Sequence, residues 1–252
     1  MIPVVSEEPY SFYPPKRNPR GYNILRYLVP GTLRRSYGVE EVEVRHIERF
    51  QASAEAGHGI LLAPNHPRAC DPLTVGMISY NTRIPFYFMA SWYLFKQGWK
   101  KRFLIRNLGG FSIYREANDR AAMNTAIEIL ATADRPLVVF PEGTISRSND
   151  YLMEMMDGVI FLARSAAKRR AKEDGGKVVI HPVATKYVFE GDLEKELSPV
   201  LDEFEARFSA PVLPGDVITT DMWQERNVIY FRSRVAARDA NVLTNGRAVL
   251  DE

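Results

Sequence analysis

Apolar and polar positions alternate along this chain in segments that predict strands and helices in turn. Three short apolar runs are typical of strands covered on both faces, at 59–63, 136–140 and 178–183. Three longer segments repeat their apolar residues at helical spacing, at 72–80, 117–132 and 152–170. This alternation predicts an α/β protein in which helices flank a mixed, largely parallel central sheet within a single domain.

Weaker patterns predict four further elements. Glu41 to Arg45 alternates polar residues with two valines, which predicts a half-buried strand. Residues 85–89 and 227–236 also predict strands. Residues 192–208 place Leu193, Leu197, Leu201, Phe204 and Phe208 on one stripe of an acidic helix.

The N-terminal segment differs from the rest in composition. Residues 1–20 are rich in proline and predict an irregular arm, whereas Tyr22 to Tyr37 mixes apolar residues with arginines and is broken at Pro30-Gly31. Such a basic amphipathic piece could rest at a lipid interface, or it could be a short helix packed on the protein with its arginines in water. We therefore divide the chain into an arm with a possible membrane-surface segment, 1–38, and one domain, 39–252.

Residues 91–107 combine aromatic and basic side chains. Trp92, Phe95, Trp99 and Phe103 recur at helical spacing, and residues 92–106 carry five basic residues and no acid. One interpretation places the aromatic stripe against lipid headgroups or an anionic cofactor. The other places the aromatic rings in the core, with the cations on the solvated face.

Composition excludes several classes of protein. The net charge of +2 is too small to indicate a nucleic-acid binder. Cys70 is the only cysteine, so an intramolecular disulfide is impossible and a reducing compartment is favoured. No apolar run reaches the roughly 18 residues of a spanning helix, and no signal peptide is recognisable. We expect a protein that is soluble or lies on a membrane surface.

The candidate chemistry begins in the loop after the first apolar run. His66 and Asp71 are five residues apart, which in a continuous helix would turn them about 140° from each other. A loop bent by Pro67 can instead bring them together, with Asp71 as an N-cap before Pro72. An imidazole held by a carboxylate is the pairing used for a general base. Taken alone, such a histidine is more often structural.

Two more loops leave predicted strands. One ends at Arg115, and the other is rich in glycine and hydroxyl groups, at 141–147. Because loops that leave parallel strands commonly build the site of such a sheet, His66, Arg115 and Glu142-Gly143 could share one crevice.

Together these segments resemble the glycerolipid acyltransferases of the lysophosphatidic-acid acyltransferase type. Four family blocks appear in order: Asn65-His66 with Asp71, Gly109 to Arg115, Phe140 to Thr144, and Val178 to Val183. The resemblance covers roughly residues 40–190. Three positions depart from the usual pattern, namely Tyr114 before the arginine, Ile145 after the threonine, and Met156 before Gly158.

The resemblance implies an acyltransferase domain that moves a fatty acyl group from a thioester to the free hydroxyl of a lysophospholipid. The implied acceptor is 1-acyl-glycerol-3-phosphate, which gives phosphatidic acid. His66 would be the general base and Asp71 its partner. The substrate-binding residues would be Arg115, Glu142, Gly143, Thr144 and Arg147, with Pro182 shaping the acyl pocket. Glu142, which cannot bind phosphate while ionised, would orient Arg115 or the loop.

The resemblance also implies the partners. Acyl-CoA or acyl carrier protein would be the donor substrate, and neither a bound cofactor nor a metal is expected. The partners would be the lysophospholipid, the donor and a membrane surface, without nucleic acid. The protein would be peripheral, on the cytoplasmic side of a membrane.

Three other functions remain open. The acceptor could be another lysophospholipid or an acylated amino acid. A hydrolase would use a serine with His66 and Asp71, but the chain lacks a Gly-x-Ser-x-Gly elbow, so Ser146 or Ser148 would be forced candidates. A non-catalytic lipid-binding relative would keep the basic aromatic face without the chemistry.

Overall fold

A computed structural model of the protein describes residues 9–17, 20–116, 119–149, 151–173, 175–192, 201–213 and 215–250. The chain forms two compact units, residues 1–186 and residues 187–252.

The first unit contains eight helices and five strands within the described ranges up to residue 186. The helices are α1 (Arg20–Leu25), α2 (Val29–Tyr37), α3 (Ile47–Glu55), α4 (Asp71–Thr82), α5 (Trp92–Phe95), α6 (Trp99–Asn107), α7 (Arg120–Thr132) and α8 (Gly158–Glu173), with a 3₁₀ turn at Arg26–Leu28 between α1 and α2. The strands are β1 (Gly59–Pro64), β2 (Tyr87–Ser91), β3 (Gly110–Ile113), β4 (Leu137–Val138) and β5 (Val178–Val183).

The five strands form one sheet in the order β3-β2-β4-β1-β5. Every neighbouring pair in this sheet is parallel, and Leu61 of β1 lies between Leu137 of β4 and Ile180 of β5. The predicted α/β fold with helices around a largely parallel sheet is thereby confirmed. The carboxyl ends of β1, β3 and β4 lead into the three loops that carry the candidate chemistry.

Strand β1 is buried on both faces, which explains its continuous apolar sequence. Leu61 packs on one side with Leu130 of α7 and Leu162 of α8. Its neighbour Leu62 points to the other side and packs with Phe50 of α3 and Val75 of α4. Since successive side chains of a strand alternate between faces, a strand between two helical layers must be apolar at every position.

The described part of the N-terminal arm lies along the edge strand β3. Ser112 N–H donates to Tyr13 O at 3.0 Å, and Tyr13 N–H donates to Ser112 Oγ at 2.8 Å. Asp119 accepts hydrogen bonds from the Tyr10 hydroxyl, from Tyr114 N–H and from Ala122 N–H. Burial, with this bond to Asp119, raises the pKa of Tyr10 to about 12, so the phenol keeps its donor proton at neutral pH. The arm thus covers an otherwise exposed sheet edge.

Three local predictions are wrong in the first unit. Residues 41–45 belong to no strand; Val44 packs against the α3 and α4 layer, but the backbone of this segment pairs with no strand. Pro30 does not break the N-terminal helical segment, because it lies in the first turn of α2, where a missing N–H is tolerated. Helix α8 begins at Gly158 rather than at 152, because the preceding backbone binds the loop after β4.

The aromatic stripe at 92–103 is divided between two helices, because α5 ends at Phe95 and α6 begins after its N-cap Gly98, which has a φ of 101°. Trp92 and Phe95, in α5, are buried in the core. Trp99 and Phe103, in α6, are 67% and 53% exposed. The core interpretation therefore holds for Trp92 and Phe95 alone, and the lipid or cofactor interpretation stays a prediction for the exposed Trp99 and Phe103.

The second unit is a four-stranded antiparallel sheet in the order β6-β9-β8-β7. Its strands are β6 (Leu201–Phe208), β7 (Ile218–Glu225), β8 (Val228–Val235) and β9 (Ala240–Leu250). The strand predicted at 227–236 is confirmed. The helix predicted at 192–208 is wrong for Leu201–Phe208, because residues four apart share a face in a strand as well as in a helix. Leu193 and Leu197 lie outside the described residues.

Within the described ranges, none of the helices combines the length and the apolar character needed to cross a lipid bilayer.

Candidate active site

The loop from β1 to α4 brings His66 and Asp71 together, as predicted. His66 Nδ1 lies 2.7 Å from Asp71 Oδ2, and the same oxygen accepts a hydrogen bond from Arg68 N–H at 2.8 Å. The side chain of Asp71 is 0% exposed and that of His66 is 16% exposed. The prediction that Asp71 caps α4 is wrong: Cys70 is the N-cap residue, and the Asp71 carboxylate is turned back toward the loop.

This arrangement fixes both the tautomer and the orientation of the imidazole. A proton on Nδ1 donates to the buried carboxylate, which leaves the lone pair of Nε2 available. The ring of His66 also stacks on Phe140, with centroids 4.2 Å apart and planes 27° apart. A neutral imidazole held in this way can accept a proton from a hydroxyl group placed at Nε2.

Glu142 holds the backbone of the histidine. It is buried, with 5% exposure, and its Oε1 accepts a hydrogen bond from His66 N–H at 2.9 Å. Its Oε2 accepts from Met153 N–H at 3.4 Å. On the other side of the same residue, His66 O accepts from Ser146 N–H at 2.9 Å. Of the two roles predicted for Glu142, these contacts support the orientation of the loop.

Asn65 ties the same loop to the chain beyond β5. Its amide nitrogen donates to Thr185 O at 3.0 Å, and its amide oxygen accepts from Thr185 N–H at 2.6 Å. Both side chains are buried. The sequence pattern placed Asn65 and Phe140 in family blocks without assigning a role to either, and it did not single out Thr185. Ser146 was named only as a possible nucleophile, and its backbone contact with His66 could not be predicted.

Arg115 lies against the glycine turn after β4, as predicted. Gly143 has a φ of 64°, and a Cβ built on it would lie 3.9 Å from Arg115 Nη1 and 2.6 Å from Met156 Sδ. Arg115 and Thr144 are exposed. The N–H of Gly143 itself donates to Phe140 O at 3.2 Å, so this donor is already occupied. An accessible guanidinium beside an open turn can bind an anionic group.

Arg147 belongs to a second basic region next to the histidine loop. It is exposed, with a φ of 57°, and lines a cleft of about 570 Å³. Pro67, Arg68 and Cys70 line the same cleft. Two arginines thus lie on the cleft that opens beside the loop of His66 and Asp71.

Pro182 lies on β5, the edge strand of the sheet, opposite Ala63 of β1. Its side chain is exposed. A proline has no N–H to donate, so an edge strand is where a sheet tolerates it. Its predicted place beside the acyl pocket stays a prediction.

His181 is set apart from the site by its surroundings. Its Nε2 lies 3.0 Å from Ser53 Oγ, and its ring meets Phe50 edge-on. Burial lowers its pKa, so this histidine is neutral at physiological pH. These contacts give His181 a structural role.

We expect Cys70→Ser to retain most of the activity. The thiol is buried at the N-cap of α4, where serine is a favoured residue, so acyl transfer should stay within about threefold of wild type. A steady-state rate with saturating donor measures this. A loss comparable to that of His66→Ala would instead give the thiol a part in the chemistry.

Comparison with known proteins identifies one family. Residues 41–186 match the sequence model of the family described as Acyltransferase, which is more than half of the 252 residues. The matched span ends where the first compact unit ends and contains the loops of His66, Arg115 and Glu142. Among curated proteins, none matches the chain.

Proposed function

Because the chain belongs to the acyltransferase family, we propose that it moves a fatty acyl group from a thioester to the free hydroxyl of a lysophospholipid. The proposed acceptor is 1-acyl-glycerol-3-phosphate, and the product is phosphatidic acid. The observation that carries this proposal is the His66–Asp71 pair, 2.7 Å apart, with arginine side chains on neighbouring loops. A general base next to arginine side chains is suited to an acceptor that has a hydroxyl group for the base and a phosphate for the cations.

In the proposed reaction, His66 Nε2 takes the proton of the acceptor hydroxyl as its oxygen attacks the thioester carbonyl. The new C–O bond forms, the C–S bond breaks, and the imidazolium returns its proton to the leaving thiolate. Asp71 stabilises the imidazolium between these two steps. A positioned general base of this kind contributes about 10²- to 10⁴-fold to the rate.

Arginines on two loops support a phosphate-bearing acceptor. Arg115 can present two parallel N–H groups to phosphate oxygens from its position beside Gly143. Arg147, with Arg68, offers positive charge in the cleft beside the catalytic loop. Glu142 binds backbone N–H groups with both oxygens, and in this proposal it positions His66. Thr144 is exposed on the same turn and is assigned to the acceptor site with them.

Exposed apolar side chains on two helical segments that contact each other support peripheral attachment of the first unit to a membrane. Ile24, Tyr27 and Leu28, at the end of α1 and in the 3₁₀ turn, are exposed, as are Trp99 and Phe103 of α6. The two helices contact each other, since a Cβ on Gly21 would lie 2.5 Å from Asn107 Oδ1. We call these five exposed residues the α1–α6 face.

Cations accompany the apolar residues of this face. Lys16 Nζ lies 4.7 Å from the ring centroid of Phe103, and Lys100 Nζ lies 5.8 Å from that of Trp99. Aromatic rings beside lysines suit the boundary between acyl chains and anionic headgroups. We propose that the α1–α6 face rests on the cytoplasmic surface of a membrane, where the lysophospholipid is presented.

Arg115→Ala should raise the apparent KM for the lysophospholipid by about tenfold or more, since a charged hydrogen bond contributes about 1.5–3 kcal/mol. The KM for the acyl donor should change far less. Steady-state kinetics with each substrate varied in turn measures both values. Arg120→Ala, which removes another exposed arginine five positions further along, is the matched control. Equal effects on both substrates would contradict a headgroup role.

The acceptor itself is tested by incubating the purified protein with an acyl donor and a panel of acceptors. The panel contains lysophosphatidic acid, lysophosphatidylcholine and an acylated amino acid, and mass spectrometry identifies the products. We expect phosphatidic acid to form fastest. Faster acylation of another acceptor would overturn the headgroup assignment and leave the acyl transfer in place.

The geometry weighs against a serine hydrolase. Ser146 Oγ lies 3.4 Å from His66 O and 3.1 Å from Ser148 O, and donates to these backbone oxygens. A nucleophilic serine would instead have its hydroxyl at a ring nitrogen of His66.

A further inference from the structure

Helix α8 presents an unusual outer face. Ile160 and Phe161, in its first turn, are 57% and 54% exposed. Beyond them, Arg164, Lys168 and Lys172 follow at intervals of four residues and are exposed. Residues four apart lie on one side of a helix, so these five side chains form one continuous stripe. We call them the α8 stripe.

The opposite face of α8 forms the core. Leu162 and Ala166 are buried in the layer shared with α7. Arg170 is also buried and donates to Ala131 O at 3.1 Å and to Gly57 O at 2.7 Å. The inner face therefore accounts for the packing of the helix, and the cations of the stripe have no part in it.

The apolar end of the stripe adjoins the candidate active site. Met156 N–H donates to Pro141 O at 2.9 Å, and Met153 N–H binds Glu142, so the segment before α8 is held to the catalytic loops. Helix α8 begins two residues after Met156. At a rise of 1.5 Å per residue, Arg164 lies about 9 Å along the axis from the first residue of α8, and Lys172 about 21 Å. The stripe starts at the site and leads away from it.

Cations dominate the charge of this face. Residues 158–172 contain no aspartate or glutamate, while Asp157 precedes them and Glu173 follows. An open concavity of about 660 Å³ lies on the same face, where Phe161, Arg164 and Lys168 line it, with Asp157 at the end nearest the first turn. A line of cations about 12 Å long, with an apolar pair at one end, complements a protein surface that presents an acidic helix.

A lipid surface fits this face less well. A helix that lies on a membrane buries an apolar face along its length and keeps its cations at the margins. The outer face of α8 is apolar only in its first turn and cationic along its centre. The α1–α6 face, by contrast, has exposed apolar side chains on both of its helices.

We propose that the α8 stripe is the docking surface for an acidic acyl carrier protein, which brings the acyl thioester to the site. The cations meet the acidic helix of the carrier, and Ile160 and Phe161 pack at the end of the contact nearest the catalytic loops. The thioester arm then extends from there toward His66. This inference rests on the proposed function and makes the carrier protein, rather than free acyl-CoA, the donor that the surface recognises.

The test compares two donors with the same acyl group, palmitoyl-loaded acyl carrier protein and palmitoyl-CoA. In the full chain, Arg164→Glu combined with Lys168→Glu should lower kcat/KM for the carrier-bound donor by about tenfold or more, because like charges would meet at the contact. The kcat/KM for palmitoyl-CoA should stay within about twofold, since a small donor does not need the protein contact. Arg169→Glu is the matched control.

Arg169 suits this purpose because it lies on the same helix but about 140° from Arg164. It pairs with Glu173 at 2.9 Å on an exposed surface, and an exposed pair of this kind contributes little to stability. The control should leave both donors within about twofold of wild type.

Direct binding of the carrier protein makes the test independent of turnover. Fluorescence anisotropy of labelled palmitoyl-loaded carrier should show binding to the wild-type chain that weakens with added salt and is lost in the double variant. No binding to wild type, or an equal loss of kcat/KM for both donors, would overturn the proposal. Loss of binding to anionic vesicles in the double variant would also overturn it and assign the stripe to lipid. Carrier binding without acyl transfer from either donor would instead refute the proposed function.

Discussion

His66→Ala should lower the rate of acyl transfer by about 10²- to 10⁴-fold, because the acceptor hydroxyl would lose the base that takes its proton. The loss should appear in kcat, with a small change in the KM of either substrate. Steady-state kinetics with lysophosphatidic acid and either donor measures it. Activity within about tenfold of wild type would remove His66 from the role of general base.

Two controls separate this chemical effect from unfolding. The side chain of His66 is partly exposed and stacks on Phe140, so its removal should leave the far-ultraviolet circular dichroism spectrum and the cooperative thermal transition in place. His46→Ala removes an exposed histidine that lies near Glu48, and it should leave the rate unchanged.

Asp71→Asn should produce a loss of similar size, about 10²- to 10⁴-fold in kcat. The carboxamide has nearly the same volume but no charge, so it cannot stabilise the imidazolium. Its NH₂ group can also donate to Nδ1, which would favour the tautomer with the proton on Nε2, where it blocks proton acceptance. The KM for the lysophospholipid should change little, since Asp71 is buried and, in the proposed mechanism, acts through His66.

The pH profile distinguishes this role from a merely structural one. If Asp71 positions and stabilises the base, the pH dependence of kcat should shift in Asp71→Asn, and Asp71→Glu should recover part of the rate. A variant with an unchanged pH profile and a lowered melting temperature would show that the carboxylate serves the fold alone.

The central strands of the first unit could be predicted from sequence because burial on both faces requires a continuous run of apolar residues. Leu61 and Leu62 face opposite helical layers, so no polar position interrupts β1. The predictions failed where one pattern fits two structures. Phe204 and Phe208 are four apart, which suits a helix and a strand alike, and pairing of β6 with β9 decides between them.

The candidate site likewise contains one contact that could be predicted from the sequence and others that could not. The His66–Asp71 contact follows from a short loop bent by a proline, which is a local property of the sequence. The contacts that hold this loop are not local: Glu142 reaches His66 N–H across 76 positions, and Asn65 reaches Thr185 across 120. Their partners are backbone groups, which carry no identity in a sequence, so only the fold reveals these roles.

The aromatic stripe shows that periodic spacing alone does not predict which side chains are buried. Trp92 and Trp99 are equivalent in the sequence pattern, yet one is buried and the other is exposed. Helix α5 ends at Phe95, and Gly98 starts a new helix as the N-cap of α6, with a positive φ that depends on tertiary context as much as on the residue itself.

The central claim is that the His66–Asp71 pair transfers an acyl group from a thioester to a lysophospholipid hydroxyl. Its most direct test measures the release of free thiol from palmitoyl-CoA or palmitoyl-loaded acyl carrier protein, with and without lysophosphatidic acid, while mass spectrometry follows the lipid. We predict thiol release that requires the acceptor, yields phosphatidic acid in equal amount, and disappears in His66→Ala. Thiol release without an acceptor and with free fatty acid as product, or no release from either donor, would contradict it.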